Sequence, residues 1–133
     1  MKHILVAYDG GAPARRALET GIEFVKQSGA TLSIVSVIPV HPGRVPIDPW
    51  DDKPTHDQQL AEARQLAAEQ GVTVEILEPA GDPADAIERV ARMGNFDTIV
   101  IGSRGLGAIS RFFQGSVSEH VATHATATVV VAR

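Results

Sequence analysis

The residues best suited to chemistry lie in the stretch GSRGLGAISRFFQGSVSEH, residues 102–120, where four glycines fall within fourteen positions. Gly102 and Gly105 permit sharp backbone turns and let a ligand approach where a side chain would otherwise stand. Gly115 and Ser116 open a predicted helix, whose first amide groups lack a partner within the helix and carry partial positive charge. Such a helix start binds anions, including phosphate. The stretch therefore predicts a phosphate-binding loop.

The same stretch also has an interpretation that needs no ligand. Ser116 to Glu119 match a capping box, in which the serine bonds forward and the glutamate bonds back. The Walker pattern is absent, and the run from Gly105 to Gly107 lacks the third glycine of the dinucleotide fingerprint. Arg104 and Arg111 supply the positive charge of the loop. Phosphate binding and plain helix capping both stay open on this evidence.

Five continuous apolar segments predict the strands that would position this loop. Continuous rather than alternating hydrophobicity is typical of parallel strands buried on both faces. Four helical patterns lie between these segments, so strand and helix alternate along the chain. The alternation predicts an α/β fold, an open three-layer sandwich with a five-stranded, mostly parallel sheet and four main helices. The predicted strands are His3–Tyr8, Thr31–Ile38, Thr73–Leu77, Thr98–Ile101 and Thr128–Ala132.

Capping residues mark the ends of the predicted helices. Pro13 suits the first turn of the first helix and Gly29 its end. The second helix ends at Gly71, and Asp82-Pro83 opens the third, which Gly94 closes. The fourth shows apolar residues four positions apart, at Val117, Val121 and Ala125.

One segment breaks the alternation. Residues 39–56 contain five prolines and the single tryptophan, Trp50. We expect a mobile loop here, with a lid or a partner contact as the alternative, because long proline-rich connections are uncommon in compact domains. No domain boundary or internal repeat appears, so residues 1–133 are predicted to form a single domain.

Composition excludes several classes of function. The net charge of −4, without a Lys/Arg-rich run, argues against a broad nucleic-acid surface. The chain has no cysteine, which excludes disulfides, thiolate metal sites and a cysteine nucleophile. No segment resembles a signal peptide or a membrane span. We therefore expect a cytoplasmic protein without nucleic-acid or membrane partners.

The first predicted strand ends beside a carboxylate, Asp9. In an open α/β sheet, ligands bind outside the carboxyl ends of the strands, where the strand order reverses. If the first and fourth strands are neighbours, Asp9 and the glycine loop face one crevice. A metal pair at His120 and His124 is less well supported than a solvated helix face, because no carboxylate partner or His-Glu-x-x-His pattern accompanies it.

The glycine spacing identifies a resemblance to the universal stress protein family. Gly102-x2-Gly105-x9-Gly115-Ser116 is similar to the nucleotide-binding motif of its ATP-binding branch. Ile4 to Gly10 resembles the family's first strand and aspartate, and Asp97 to Gly105 its fourth-strand signature. The resemblance implies strand order 3-2-1-4-5 and an ATP-binding regulator or sensor of the stress response. It covers the chain except residues 39–56.

The resemblance also implies which residues hold the nucleotide. Ala7, Asp9 and Val37 would border the adenosine, with Ala7 and Val37 contacting the base through their backbone. The ribose and phosphates would meet Ile101, Gly102, Ser103, Arg104, Gly105, Leu106 and Gly107. The phosphate tail would meet Gly115, Ser116, Val117 and Ser118. Mg²⁺ or Mn²⁺ would be held mainly by the phosphates, with Asp9 as the best nearby carboxylate.

Two departures from the family's pattern stand out. Gly11 occupies a position where serine is usual, and Ala125-Thr126-Ala127 replaces the usual Cys-Pro before the last strand. The strand Thr128 to Ala132 would expose an apolar edge unless it is covered. The resemblance implies that it pairs with its counterpart in a homodimer.

The function therefore has three candidate forms. The first is an ATP-binding regulator that an unknown signalling protein reads. The second is a slow Mg-dependent ATPase; catalytic machinery is not evident, so weak hydrolysis is the most we expect. The third is an adaptor that binds AMP, another ligand or no nucleotide. The sequence does not name the stress, the partner or the nucleotide bound, which could also be ADP.

Overall fold

The computed structural model describes residues 1–38, 53–102 and 127–132 of the chain. Within these ranges strands and helices alternate as the sequence predicts. The predicted fourth helix, at Val117, Val121 and Ala125, lies outside the described residues. The elements are β1 (His3–Ala7), α1 (Ala12–Ser28), β2 (Thr31–Val35), α2 (Lys53–Glu69), β3 (Val74–Leu77), α3 (Pro83–Met93), β4 (Thr98–Gly102) and β5 (Thr128–Ala132).

The five strands form one parallel sheet in the order β3-β2-β1-β4-β5. The central strand β1 pairs on one side with β2, Ile4 opposite Leu32, and on the other with β4, Ile4 opposite Thr98. This order and the parallel pairing confirm the predicted fold class. The adjacency of β1 and β4, on which the predicted crevice depends, is thereby established.

The helices cover both faces of the sheet. Buried residues of α1 and α2 share a core cluster with β1 and β2, including Leu18 and Ala63. On the opposite face Ile87 and Ala91 of α3 pack with Leu5 and Ile99. Burial of apolar side chains on both faces explains why the strands are apolar throughout, and it makes the sheet the middle of three layers.

Local sequence signals define the ends of α1 and α3. Pro13 lies in the first turn of α1, and Gly29 ends that helix with a φ of 75°, a left-handed conformation that favours glycine. Asp82 caps α3, because its side chain accepts a hydrogen bond from the Asp85 amide at 3.3 Å. Both helices begin and end as predicted.

The second helix begins within the segment predicted to be a loop. α2 starts at Lys53, so the last four residues of the expected loop 39–56 are helical. Pro54 is the second residue of α2, and proline fits there because the first turn has no internal amide hydrogen bond to lose. Residues 39–52, including Trp50, lie outside the described residues. No helix in the described ranges is both long enough and apolar enough to cross a membrane.

Asp97 joins the amino-terminal ends of β1 and β4, on the edge of the sheet away from the predicted site. Its Oδ2 accepts hydrogen bonds from the amides of Lys2 at 2.7 Å and His3 at 3.2 Å. The Thr98 hydroxyl donates to Oδ1 at 2.9 Å. The Lys2 amide contributes most to lowering the pKa of Asp97 below 3.8. The carboxylate thus has a structural role within the fourth-strand signature.

We expect Asp97→Ala to lower the free energy of unfolding at pH 7 by roughly 1 to 2 kcal/mol, because three hydrogen bonds lose a charged acceptor. A folded-state pKa below the unfolded value stabilises the fold above pH 3.8, and this stabilisation is lost as the pH falls through the folded-state pKa. The difference between wild type and variant should therefore shrink below about pH 4. Urea titrations between neutral and acidic pH test this, with Asp57→Ala, an exposed aspartate, as control. Equal loss at every pH would contradict it.

Candidate functional site

The predicted crevice lies where β1, β2 and β4 end. Beyond β1, the Tyr8 amide donates to the carbonyl of Val35 at 2.9 Å. Beyond β2, the amides of Ser36 and Ile38 donate to the carbonyls of Leu77 and Pro79. These hydrogen bonds continue the pairing of the sheet beyond the last residues of β1 and β2. The residues that follow the two strands are therefore held in place at the carboxyl edge of the sheet.

Asp9 stands at this edge with an exposed side chain. Its Oδ1 accepts a hydrogen bond from the Gly11 amide at 2.9 Å, a bond two residues forward that is typical of an aspartate turn. Gly10, between them, has a φ of 85°. The turn thus fixes Asp9 at the end of the central strand, with the carboxylate open to solvent. Asp9 therefore lies at the edge of the sheet where the crevice is predicted.

Gly11 is the N-cap residue of α1, and it provides no side-chain hydrogen bond to the helix. Its φ of −77° and ψ of 167° are the extended backbone angles usual for that position. The serine expected from the family pattern would supply a hydroxyl here. The substitution by glycine therefore removes a side-chain cap at the start of a helix that faces the predicted site.

Three of the predicted site residues pack on the α3 face of the sheet. Ile101 belongs to the core cluster there and is 1% exposed. Ala7 and Val37 are half-buried and pack against the same cluster. The Ile101 side chain is thus buried in the core, so a ligand at this position would contact mainly the backbone of Ile101. The structure thus places the three residues in one layer, on the α3 face of the sheet.

Gly102 has a packing role at the end of β4. An ideal Cβ placed on Gly102 would lie 2.5 Å from the carbonyl carbon of Pro13 and 2.8 Å from its Cβ. The first turn of α1 therefore crosses this strand so closely that no side chain fits. Sequence reasoning attributed this glycine to a turn and to ligand approach and missed Pro13, because a contact between such distant residues leaves no local signal.

Tyr8 is buried between the sheet and the helices of the α1 face, with 5% of its surface exposed. Burial raises the pKa of its hydroxyl above 10.0, although Arg15, which hydrogen-bonds to it, lowers the pKa. The nearby carboxylate of Glu62 contributes to the rise. Tyr8 is thus a packed residue of the core that stays protonated at neutral pH.

The phosphate side of the predicted site lies outside the described residues. This includes the capping box, Arg111 and the histidine pair His120 and His124. Within the described ranges, no three histidine, aspartate or glutamate side chains come together as a metal site. The predicted nucleotide residues outside the described ranges are Ser103, Arg104, Gly105, Leu106, Gly107, Gly115, Ser116, Val117 and Ser118.

Comparison with known proteins assigns the family. The profile of the Universal stress protein family matches residues 1–133. This chain belongs to the universal stress protein family. A putative universal stress protein of Staphylococcus aureus (strain USA300) is 34% identical over 139 residues, covering 99% of this chain and 84% of the relative. The resemblance drawn from the glycine motif and the strand signatures is confirmed at the level of the family.

Solved structures of universal stress proteins share the fold. One, in complex with cAMP, is 25% identical with a TM-score of 0.73, covering 99% of this universal stress protein and 97% of that chain. Another, from Arabidopsis thaliana with AMP bound, is 26% identical with a TM-score of 0.65, covering 98% and 90% respectively. Two proteins of this fold thus carry adenine nucleotides.

Proposed function

We propose that this universal stress protein binds an adenine nucleotide, primarily ATP, and acts as a nucleotide-dependent regulator or sensor in the stress response. The observation that carries the proposal is the adjacency of β1 and β4. It brings the Asp9 turn to the edge at which β4 leads into the glycine motif, beginning at Gly102. The relatives with cAMP and AMP support an adenine nucleotide as the ligand.

The described residues fit the nucleoside part of the ligand. Ala7 and Val37 are half-buried at the carboxyl edge, and we assign their backbone groups to the base. The exposed Asp9 carboxylate accepts hydrogen bonds and suits the adenosine. We assign the ribose and phosphates to Ile101 and the glycine motif that follows. Gly115 to Ser118, which the sequence predicts to open a helix, would hold the phosphate tail.

A divalent ion fits this scheme as a companion of the phosphates. Mg²⁺ prefers oxygen ligands and usually retains several waters beside phosphate oxygens and one or two carboxylates. Asp9 is exposed at the correct edge and is the carboxylate we assign to Mg²⁺ or Mn²⁺. When bound, the ion would neutralise phosphate charge.

We further propose a homodimer formed through β5, Thr128–Ala132. Among the strands that the structure describes, β5 is the outer one, beside β4, and its residues Val129, Val130 and Val131 are half-buried. Pairing with a second copy would satisfy the outer edge of β5 and bury these valines. The dimer would present the bound nucleotide to a signalling protein. We place this universal stress protein in the cytoplasm.

Isothermal titration with ATP and Mg²⁺ tests the nucleotide proposal. We expect binding in the micromolar range, loss of binding in Gly115→Val, and about tenfold weaker binding in Asp9→Ala. Glu69→Ala, an exposed carboxylate at the far end of α2, is the control and should bind as wild type does. Native mass spectrometry of the freshly purified protein reports the retained nucleotide and the dimer together. A protein that purifies empty and shows no heat with ATP, ADP or AMP would contradict the proposal.

A further inference from the structure

The side-chain amide of Gln59 lies against the backbone of Gly10. An ideal Cβ built on Gly10 would stand 2.6 Å from both Nε2 and Oε1 of Gln59. The amide therefore fills the space that a side chain at residue 10 would occupy. Because Gly10 directly follows Asp9, this contact brings α2 to the turn at the end of β1. The Gln59 amide thus borders the candidate site from the α2 side.

The neighbours of Gln59 in α2 show that this orientation is particular to it. Leu60 and Ala63 are buried in the core cluster of the α1 face. Gln58 is exposed, and its amide donates to Oε1 of Glu62 at 3.4 Å. Gln59 is half-buried, between the residues of α2 that face the core and those that face solvent. One glutamine thus faces solvent and the next faces the Asp9 turn, which makes Gln58 a matched control.

We infer that Gln59 binds the nucleoside part of the nucleotide and sets part of its affinity; this rests on the proposed function. A primary amide offers a donor and an acceptor side by side, whereas the neighbouring Asp9 carboxylate only accepts. A purine edge also presents donors and acceptors together, and glutamine pairs with adenine in this way. The amide carries no charge, so it suits the base better than the phosphates. Packing against Gly10 restricts the amide and lowers the entropy cost of binding.

Titration of AMP and ATP into wild type, Gln59→Leu and Gln58→Leu tests the inference. Leucine keeps much of the volume of glutamine and removes both hydrogen-bonding groups. We expect Gln59→Leu to weaken AMP and ATP by the same factor, about five- to tenfold, since one or two hydrogen bonds are lost. Gln58→Leu should stay within about twofold of wild type. Thermal unfolding without ligand checks that both variants are folded.

The outcomes separate this inference from the proposed function. If wild type binds neither nucleotide, the proposed function fails and Gln59 has no nucleoside to contact. If wild type and Gln59→Leu bind the nucleotides equally well, the proposed function stands and only the inferred role of Gln59 is wrong. Weakening of ATP alone would place the contact at the phosphates and would overturn the inference. In wild type, saturating AMP should shift the side-chain amide NMR signal of Gln59 and leave that of Gln58 in place; an unmoved Gln59 signal would also overturn it.

Discussion

Replacing Gly102 by alanine is expected to lower the free energy of unfolding by about 3 kcal/mol in the absence of any nucleotide. The new methyl group would lie 2.5 Å from the carbonyl carbon of Pro13. That carbon belongs to the first turn of α1, so it cannot move without displacing the helix. α1 packs on the central strand through buried residues such as Leu18, and its displacement would disturb the core.

Urea unfolding of the nucleotide-free protein measures this effect. Gly11→Ala is the matched control at the same edge, because its Cβ would lie 3.2 Å from Asp9 Oδ1 and 3.6 Å from Pro13 Cδ. We expect it to cost less than about 1 kcal/mol, mainly from the poorer N-cap. If Gly102→Ala unfolds like wild type yet loses ATP, the glycine serves ligand approach and the packing argument is wrong.

This prediction changes how mutations in the glycine motif are interpreted. Loss of ATP binding in a Gly102 variant would not by itself show that the ligand approaches this residue, because the strand–helix contact is lost as well. Gly115 is better suited to testing the phosphate site, provided that unfolding of its variant is measured in parallel. ATP binding by Gly102 and Gly115 variants should therefore be compared only under conditions in which both variants are fully folded.

The sequence predicts the fold well because each element carries its own local signal. The continuous apolar runs of β1 and β4 indicate strands buried on both faces, and the structure has helices on both sides of them. Pro13 and Gly29 bound α1 in the sequence as they do in the structure. The strand order needed the resemblance to a known family, since crossover connections allow more than one order.

The site is less predictable because its contacts join residues far apart in the chain. The position of Asp9 was predictable, since a carboxylate directly after a buried strand stands at the carboxyl edge of the sheet, where ligands of α/β proteins usually bind. The contacts of Gln59 with Gly10 and of Pro13 with Gly102 depend on how helices lie over the sheet, which no local pattern encodes. The predicted loop extended past the start of α2 because Pro54 belongs to its proline-rich run, although proline is also compatible with a first helical turn.

Gly10→Ala is expected to destabilise the protein by about 2 to 3 kcal/mol through two separable causes. The φ of 85° at Gly10 disfavours a residue with a side chain, at a cost of about 1 to 2 kcal/mol. The remainder comes from the Gln59 amide, which occupies the space of the new methyl group. Gly71→Ala isolates the first cause, because Gly71 has a φ of 75° and nothing within 4 Å of its ideal Cβ.

A double-mutant cycle isolates the second cause. Removing the amide in Gly10→Ala/Gln59→Ala should recover about 1 kcal/mol relative to the sum of the single changes, leaving the backbone cost in place. Urea unfolding of the four proteins and of Gly71→Ala gives both quantities. A cost for Gly10→Ala no larger than that for Gly71→Ala, with no coupling to Gln59, would show that the amide does not rest on this turn. Coupling, by contrast, would mean that an alanine at residue 10 displaces the Gln59 amide. Gly10→Ala should then weaken AMP binding as Gln59→Leu does.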